Sequence, residues 1–319
     1  MFSVSLWLVE CAIQQPRRHR EHRDCTEKKL KLRHYRTFDR IDRIFQDEHV
    51  ILKEMAQVQI DNIKMAYTDA GAGRPVLLLH GYPFNRSLWN EQIAALSGSY
   101  RVIAPDLRGF GESDSSEGPS TMNRMAQDVA LLLDHLEIPR VTIGSLSMGG
   151  YVTLAFYKQF ASRVRALILA DTRATPDTEE AKQNRAQQAE KALADGMAGI
   201  ADAMLPKLLT PETVSRRPEI VKRVRDMMLK TKPEGAAAAL RGMAVRDDQT
   251  SLLSKITVPT LILVGAEDAL TPVADSEKLN DGIAGSRLVV LENAGHVSNL
   301  ERTEKFNDAL LDFLSESSS

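Results

Sequence analysis

Val141-Thr142-Ile143-Gly144-Ser145-Leu146-Ser147-Met148-Gly149-Gly150 is the stretch on which the reading of this chain turns. A short apolar run followed by small residues predicts a buried strand that bends sharply into a helix. Ser147, flanked by Ser145 and Gly149, is predicted to stand at the tip of that bend. Small neighbours are needed there because strand and helix nearly touch. Ser145 is the poorer candidate for the tip, since the bulky Ile143 holds the place two residues before it. A hydroxyl raised on such a turn is exposed to a reacting carbonyl. The Met148 amide and the positive end of the following helix then point at any oxyanion that forms. The one departure from Gly-x-Ser-x-Gly is Ser145, which the turn is expected to tolerate with at most a small shift.

Outward from this point the chain alternates strand and helix. Val76–His80, Arg101–Asp106, Val141–Ser145, Ala166–Asp171, Thr260–Gly265 and Arg287–Leu291 read as buried parallel strands. Gln57–Asp61 and Ile63–Thr68 read as a hairpin closed at Asp61-Asn62. Helical patterns cover Ser87–Leu96, Thr121–Leu136, Met148–Phe160, Val273–Ile283 and Thr303–Leu314. The expected fold is α/β: a mostly parallel eight-stranded sheet with helices on both faces.

A serine hydroxyl needs a base, and the base needs a carboxylate to fix its tautomer. After residue 54 the histidines are His80, His135 and His296. His80 ends a strand and is expected to shape a loop, and His135 closes an amphipathic helix. His296, in Asn293-Ala-Gly-His-Val297 after the last strand, is the expected base. Asp268 follows a strand in Val264-Gly-Ala-Glu-Asp268 and is the expected acid, with Glu267 as the fallback. The chain order Ser147, Asp268, His296 is that of a Ser-Asp-His hydrolase.

These residues carry a resemblance. His80-Gly-Tyr-Pro83, Asp106-Leu-Arg-Gly-Phe-Gly-Glu-Ser113, Ser145-Leu-Ser-Met-Gly-Gly150, Gly265 to Asp268 and Gly295-His296 occur in order. From Met55 onward the chain resembles the α/β-hydrolase superfamily, and within it bacterial carboxylesterases and 3-oxoadipate enol-lactonases. The resemblance implies that the Tyr82 amide joins the Met148 amide as an oxyanion hole, and that Asp106–Ser113 is structural. A serine hydrolase acting through an acyl-enzyme requires no metal or organic cofactor, and the expected partner is a small-molecule ester, with short-chain carboxylic esters preferred because residues 175–249 offer apolar side chains. Haloalkane dehalogenases and epoxide hydrolases use a carboxylate where Ser147 stands. Enol-lactonases and carbon–carbon bond hydrolases keep serine and stay open, as does a non-catalytic binder on the same fold.

Residues 175–249 interrupt the alternation with helix formers broken by Pro and Gly, and are expected to form a helical cap on a core of 55–174 and 250–319. Met197, Met204, Met227, Met228 and Met243 either pack this cap or line an adaptable apolar pocket. No concentrated cationic cluster is expected to face a charged substrate, unless Arg173, Arg216, Arg217, Arg223 or Arg225 point inward.

The first 54 residues carry a net charge of +3 against −5 for the rest, hold four of the seven histidines, and contain both cysteines, Cys11 and Cys25. They are expected to be a non-catalytic extension, disordered or loosely helical, upstream of a natural start at Met55. Phe2 to Ile13 lacks the cationic lead and small-residue cleavage site of a secretory signal. A net charge of −2 gives no basic surface for nucleic acid. No apolar run reaches the roughly 18 residues of a membrane span. Thiol-free sequence after Cys25 suits a cytoplasmic protein.

Overall fold

The computed structural model describes residues 54–317. The extension expected over 1–54 therefore lies, but for its last residue, outside the described residues, and both cysteines with it.

Eight strands form one sheet: β1 (Glu54–Ile60), β2 (Ile63–Ala70), β3 (Arg74–Leu79), β4 (Tyr100–Pro105), β5 (Val141–Leu146), β6 (Val164–Ala170), β7 (Thr260–Gly265) and β8 (Arg287–Leu291). Their order is β1-β2-β4-β3-β5-β6-β7-β8. β1 and β2 form the expected hairpin, with Ile60 opposite Ile63 and Asp61 at φ +46°, the left-handed geometry a two-residue turn demands. β2 meets β4 antiparallel, and every later pairing is parallel.

The sheet is buried on both faces because its strands are apolar at both parities. Leu77, Leu79, Ile143, Leu167, Leu169 and Ile262 enter one core. Their alternates Val76, Leu78, Ala166, Ile168, Leu261 and Leu263 enter the other. Helices α1 (Asn90–Leu96), α2 (Met122–His135), α3 (Met148–Phe160), α10 (Val273–Gly282), α11 (Ser298–Glu301) and α12 (Thr303–Glu316) flank the sheet, and α9 (Thr250–Leu253) leads back into it. Starts are set by local chemistry: Thr121 caps α2 by accepting from the Arg124 amide at 3.2 Å.

Between β6 and β7 the chain makes five further helices: α4 (Glu179–Asp195), α5 (Ala198–Leu208), α6 (Pro211–Arg216), α7 (Pro218–Leu229) and α8 (Pro233–Ala244). Pro211, Pro218 and Pro233 each sit in the first turn, where a missing N–H costs nothing, and so divide the insert into short helices. The alanine- and glycine-rich α8 is held close to the core. A Cβ on Gly235 would lie 1.8 Å from the Gly109 carbonyl oxygen, so only glycine permits that approach. The Ser120 amide also donates to the Ala238 carbonyl at 2.9 Å.

Candidate active site

The loops at the carboxyl ends of β3, β5, β6, β7 and β8 meet at Ser147. The serine follows β5 directly and sits at φ +56°, ψ −116°, a conformation L-residues seldom adopt. Three hydrogen bonds hold it there. The Ser147 amide donates to the Ala170 carbonyl at 3.0 Å. The Ser147 carbonyl accepts from the Gly150 amide and from Thr172 Oγ1, both at 2.8 Å. A Cβ on Gly149 would stand 2.3 Å from the Leu79 carbonyl oxygen, which explains the glycine. Ser145 fits in place of the usual glycine because its buried Oγ donates to the Ile168 carbonyl on the next strand, at 3.2 Å.

His296 Nε2 lies 2.8 Å from Ser147 Oγ, and His296 Nδ1 lies 2.8 Å from Asp268 Oδ2. Asp268 is anchored in turn. Its Oδ1 accepts from the Leu270 and Thr271 amides at 2.8 and 2.9 Å, and its Oδ2 accepts from Thr271 Oγ1 at 2.7 Å. With Nδ1–H facing the carboxylate, Nε2 presents a bare lone pair to the serine hydroxyl. Glu267, by contrast, is exposed and does not face the imidazole. Burial opposes ionisation of Asp268, yet the His296 charge and hydrogen bonds from His296 and Thr271 outweigh it and lower its pKa. Burial likewise pulls the His296 imidazole down, but the Asp268 charge and hydrogen bond lift it above its ordinary 6.5.

His80 is fully buried and locked between two backbone groups. Nδ1 lies 2.9 Å from the Gly81 carbonyl, and Nε2 accepts from the Leu107 amide at 3.0 Å. It shapes the loop that carries Tyr82, and burial pushes its pKa down. A Cβ on Gly81 would lie 3.1 Å from Ser147 Cβ, so this loop lies against the serine. The Tyr82 and Met148 amides have no acceptor among the described residues. Asp106 and Arg108 are structural: Asp106 Oδ1 takes the Arg86 amide at 2.7 Å, and Arg108 grips Asp128 with two bonds of 2.6 Å. His135 is exposed at the end of α2.

Above Ser147 and His296 opens a cavity of about 230 Å³ whose walls include Tyr82, Tyr151, Arg173, Arg185, Met204, Lys207 and Met243. This corrects the expected apolar lining. Of the five methionines in the insert, Met204 and Met243 face the cavity, while Met197, Met227 and Met228 are packed in the cores. Arg173 points inward, but Arg216, Arg217, Arg223 and Arg225 pair elsewhere with Glu212, Glu219, Glu91 and Asp202. Arg185 and Lys207 gave no sign in the sequence, because nothing in helical spacing says which face of α4 or α5 turns inward. The only carboxylate in the cavity wall among the described residues is Asp177. It is already taken by Arg173 at 3.1 Å, by Arg246 at 2.7 Å and by Arg185. Burial opposes the Asp177 charge, but these guanidiniums prevail and hold its pKa at about 2.

Sequence reasoning also missed Asp171, which directly follows β6 at φ +47°. Its fully buried carboxylate accepts from the Gly265 amide at 2.9 Å and from Ser298 Oγ at 2.5 Å. Burial, then the nearby Asp268 charge, push its pKa up to about 8. Among the described residues no group of three acidic, histidine or cysteine side chains could hold a metal ion, and no helix is long and apolar enough to cross a membrane.

Residues 74–303 match the family described as the alpha/beta hydrolase fold. The chain belongs to that family. A 3-oxoadipate enol-lactonase from Acinetobacter baylyi is 35% identical over 251 residues, 78% of this chain and 92% of that protein. A thermophilic esterase from Thermogutta terrifontis superposes with a TM-score of 0.81 at 41% identity, over 83% of this chain and all of that one. The enol-lactonase from Burkholderia xenovorans superposes with a TM-score of 0.77 at 32% identity, over 82% of this chain and all of that one. The likeness spans both names, ester hydrolase and lactonase.

Proposed function

We propose that this α/β hydrolase is a serine hydrolase that opens carboxylic esters, cyclic or open-chain, through an acyl-enzyme. The observation that carries this reading is the unbroken run from Asp268 through His296 to Ser147, with 2.8 Å at each step.

His296 Nε2 takes the hydroxyl proton as Ser147 Oγ attacks the carbonyl carbon. The Tyr82 and Met148 amides, free of other acceptors, receive the oxyanion. Asp268 holds the imidazolium, which then protonates the leaving alkoxide. In the second half, water gives its proton to His296, attacks the acyl-enzyme and releases the acid, returning the proton to Ser147. In a lactone the alcohol and acid remain one molecule. The helical insert acts as a cap on this cavity, with α4, α5 and α8 supplying its roof.

The sequence reading favoured short-chain esters. The cationic wall of Arg173, Arg185 and Lys207 supports a second reading, lactone opening on an acidic substrate, in keeping with the enol-lactonase relatives. A fluorophosphonate probe tests the shared chemistry: labelling of the native protein that is lost in Ser147→Ala supports it, and a native protein that resists labelling argues for a binder instead.

A further inference from the structure

The cavity over Ser147 holds hydrogen-bond donors that the fold leaves unused. Tyr82 is 6% exposed and lines the cavity, yet its hydroxyl has no protein partner among the described residues. Its ring packs edge-on against Phe110, with centroids 6.1 Å apart at 85°. Arg173 Nε is likewise buried and unpartnered, although the other end of its guanidinium reaches Asp177. A buried donor without an acceptor is costly, and a fold can keep one where a ligand supplies the acceptor. Among the described residues of the lining, Arg173 Nε can only donate and Tyr82 Oη can donate, three side chains are cations, and the one carboxylate is saturated. The deficit is therefore of anionic oxygen.

We propose that Tyr82 Oη and Arg173 Nε form a substrate subsite that reads a carboxylate on the acyl portion, with Tyr82 the specificity-determining residue. The inference rests on the ester-hydrolase reading of the same site and adds a second role for Tyr82: the backbone amide serves the oxyanion and the side chain serves the substrate's far end. Its chemistry suits a donor, since burial raises the phenol pKa and keeps the proton on oxygen, despite the nearby Arg185 charge. Phenylalanine would keep the ring, the Phe110 contact and the amide, and would remove the hydroxyl alone.

The test compares two p-nitrophenyl esters of equal acyl length, the hydrogen glutarate and the valerate, in the native protein and Tyr82→Phe. The ratio of kcat/KM, glutarate over valerate, is expected to fall about tenfold or more in the variant, mainly through KM. A ratio that stays within about twofold overturns the subsite while leaving the hydrolase reading intact. Calorimetry with glutarate itself, on Ser147→Ala protein with and without Tyr82→Phe, separates the two further. Glutarate binding that weakens on loss of the hydroxyl sustains the subsite even if neither ester is turned over, an outcome that would sink only the hydrolase reading. Glutarate that binds equally to both proteins overturns the subsite.

Discussion

Asp171 and Ser298 clasp each other at 2.5 Å behind His296, and the same carboxylate holds the Gly265 amide at 2.9 Å. One buried side chain thus ties the end of the strand that precedes Asp268 to the loop that carries His296. Among the described residues it does so with no cation in hydrogen-bond contact, beside the Asp268 carboxylate.

That placement gives a pH-dependent stability. The Asp171 pKa is raised to about 8 from an ordinary 3.8, so between those values the folded state holds a proton that the unfolded state has lost. Stability contributed by the protonated group is complete below about pH 4 and is lost as pH rises towards 8. Asp171→Asn cannot ionise. Its melting temperature is expected to depend less on pH, and at pH 9 to exceed the native value by about 4 °C or more. Parallel melting curves for the two proteins from pH 6 to pH 9 would contradict this.

Activity should follow the opposite arm of pH. The base must be neutral, and the Asp268 carboxylate holds the imidazole above 6.5. The rate on a p-nitrophenyl ester therefore falls as pH drops through a midpoint above 6.5. Asp268→Asn removes the charge that raises it and leaves the wrong tautomer in place, so kcat is expected to fall by about 10³-fold or more. An Asp268→Asn enzyme with a near-native rate would displace that residue from the mechanism.

Ser147→Ala and His296→Ala should each retain less than about a hundredth of the native rate, and the double variant should be little worse, since the groups act as a unit. Additive losses in kcat would show that the two side chains work separately.

Gly149→Ala introduces a methyl group 2.3 Å from the Leu79 carbonyl, and backbone rather than a flexible side chain must yield. Destabilisation of about 1–3 kcal/mol is expected, with esterase activity reduced because the Ser147 turn shifts with it. Urea unfolding measures the first effect and steady-state kinetics the second.

Asp177 makes the insert depend on one charge. It gathers Arg173 from the β6 loop, Arg185 from α4 and Arg246 from the segment after α8. Asp177→Ala leaves three guanidiniums facing one another around a buried hole. A loss of about 3–5 kcal/mol is expected, and limited proteolysis should cut first within 179–244. A melting temperature within about 1 °C of native would count against this role.

Much of the sheet was legible because its signals are local. β7 and β8 lie where the apolar runs placed them, and the turn at Ser147 was readable from residue size alone. The pairing of Ser147, Asp268 and His296 was legible for a different reason: few histidines compete after residue 54, and each candidate follows a strand end. The cavity wall was not legible. Arg185 sits on α4, whose rotation is set by packing on α8, and Lys207 sits on α5, which packs on α7 and α4. Such packing depends on contacts such as Gly235 against Gly109 that leave no periodic trace. Asp171 escaped notice because a single polar residue after an apolar run looks like an ordinary strand end. Its partners Gly265 and Ser298 are far away along the chain.

The contrast between His80 and His296 has a bearing on how the enzyme meets acid. One imidazole is coupled to a carboxylate and poised to gain charge, while the other serves the Leu107 amide as an acceptor and is kept neutral by its surroundings. Under the proposed mechanism, mild acid would therefore silence the chemistry before it disturbed the loop that carries Tyr82. Inactivation of this kind should reverse on neutralisation, since the scaffold of the reaction outlasts its base.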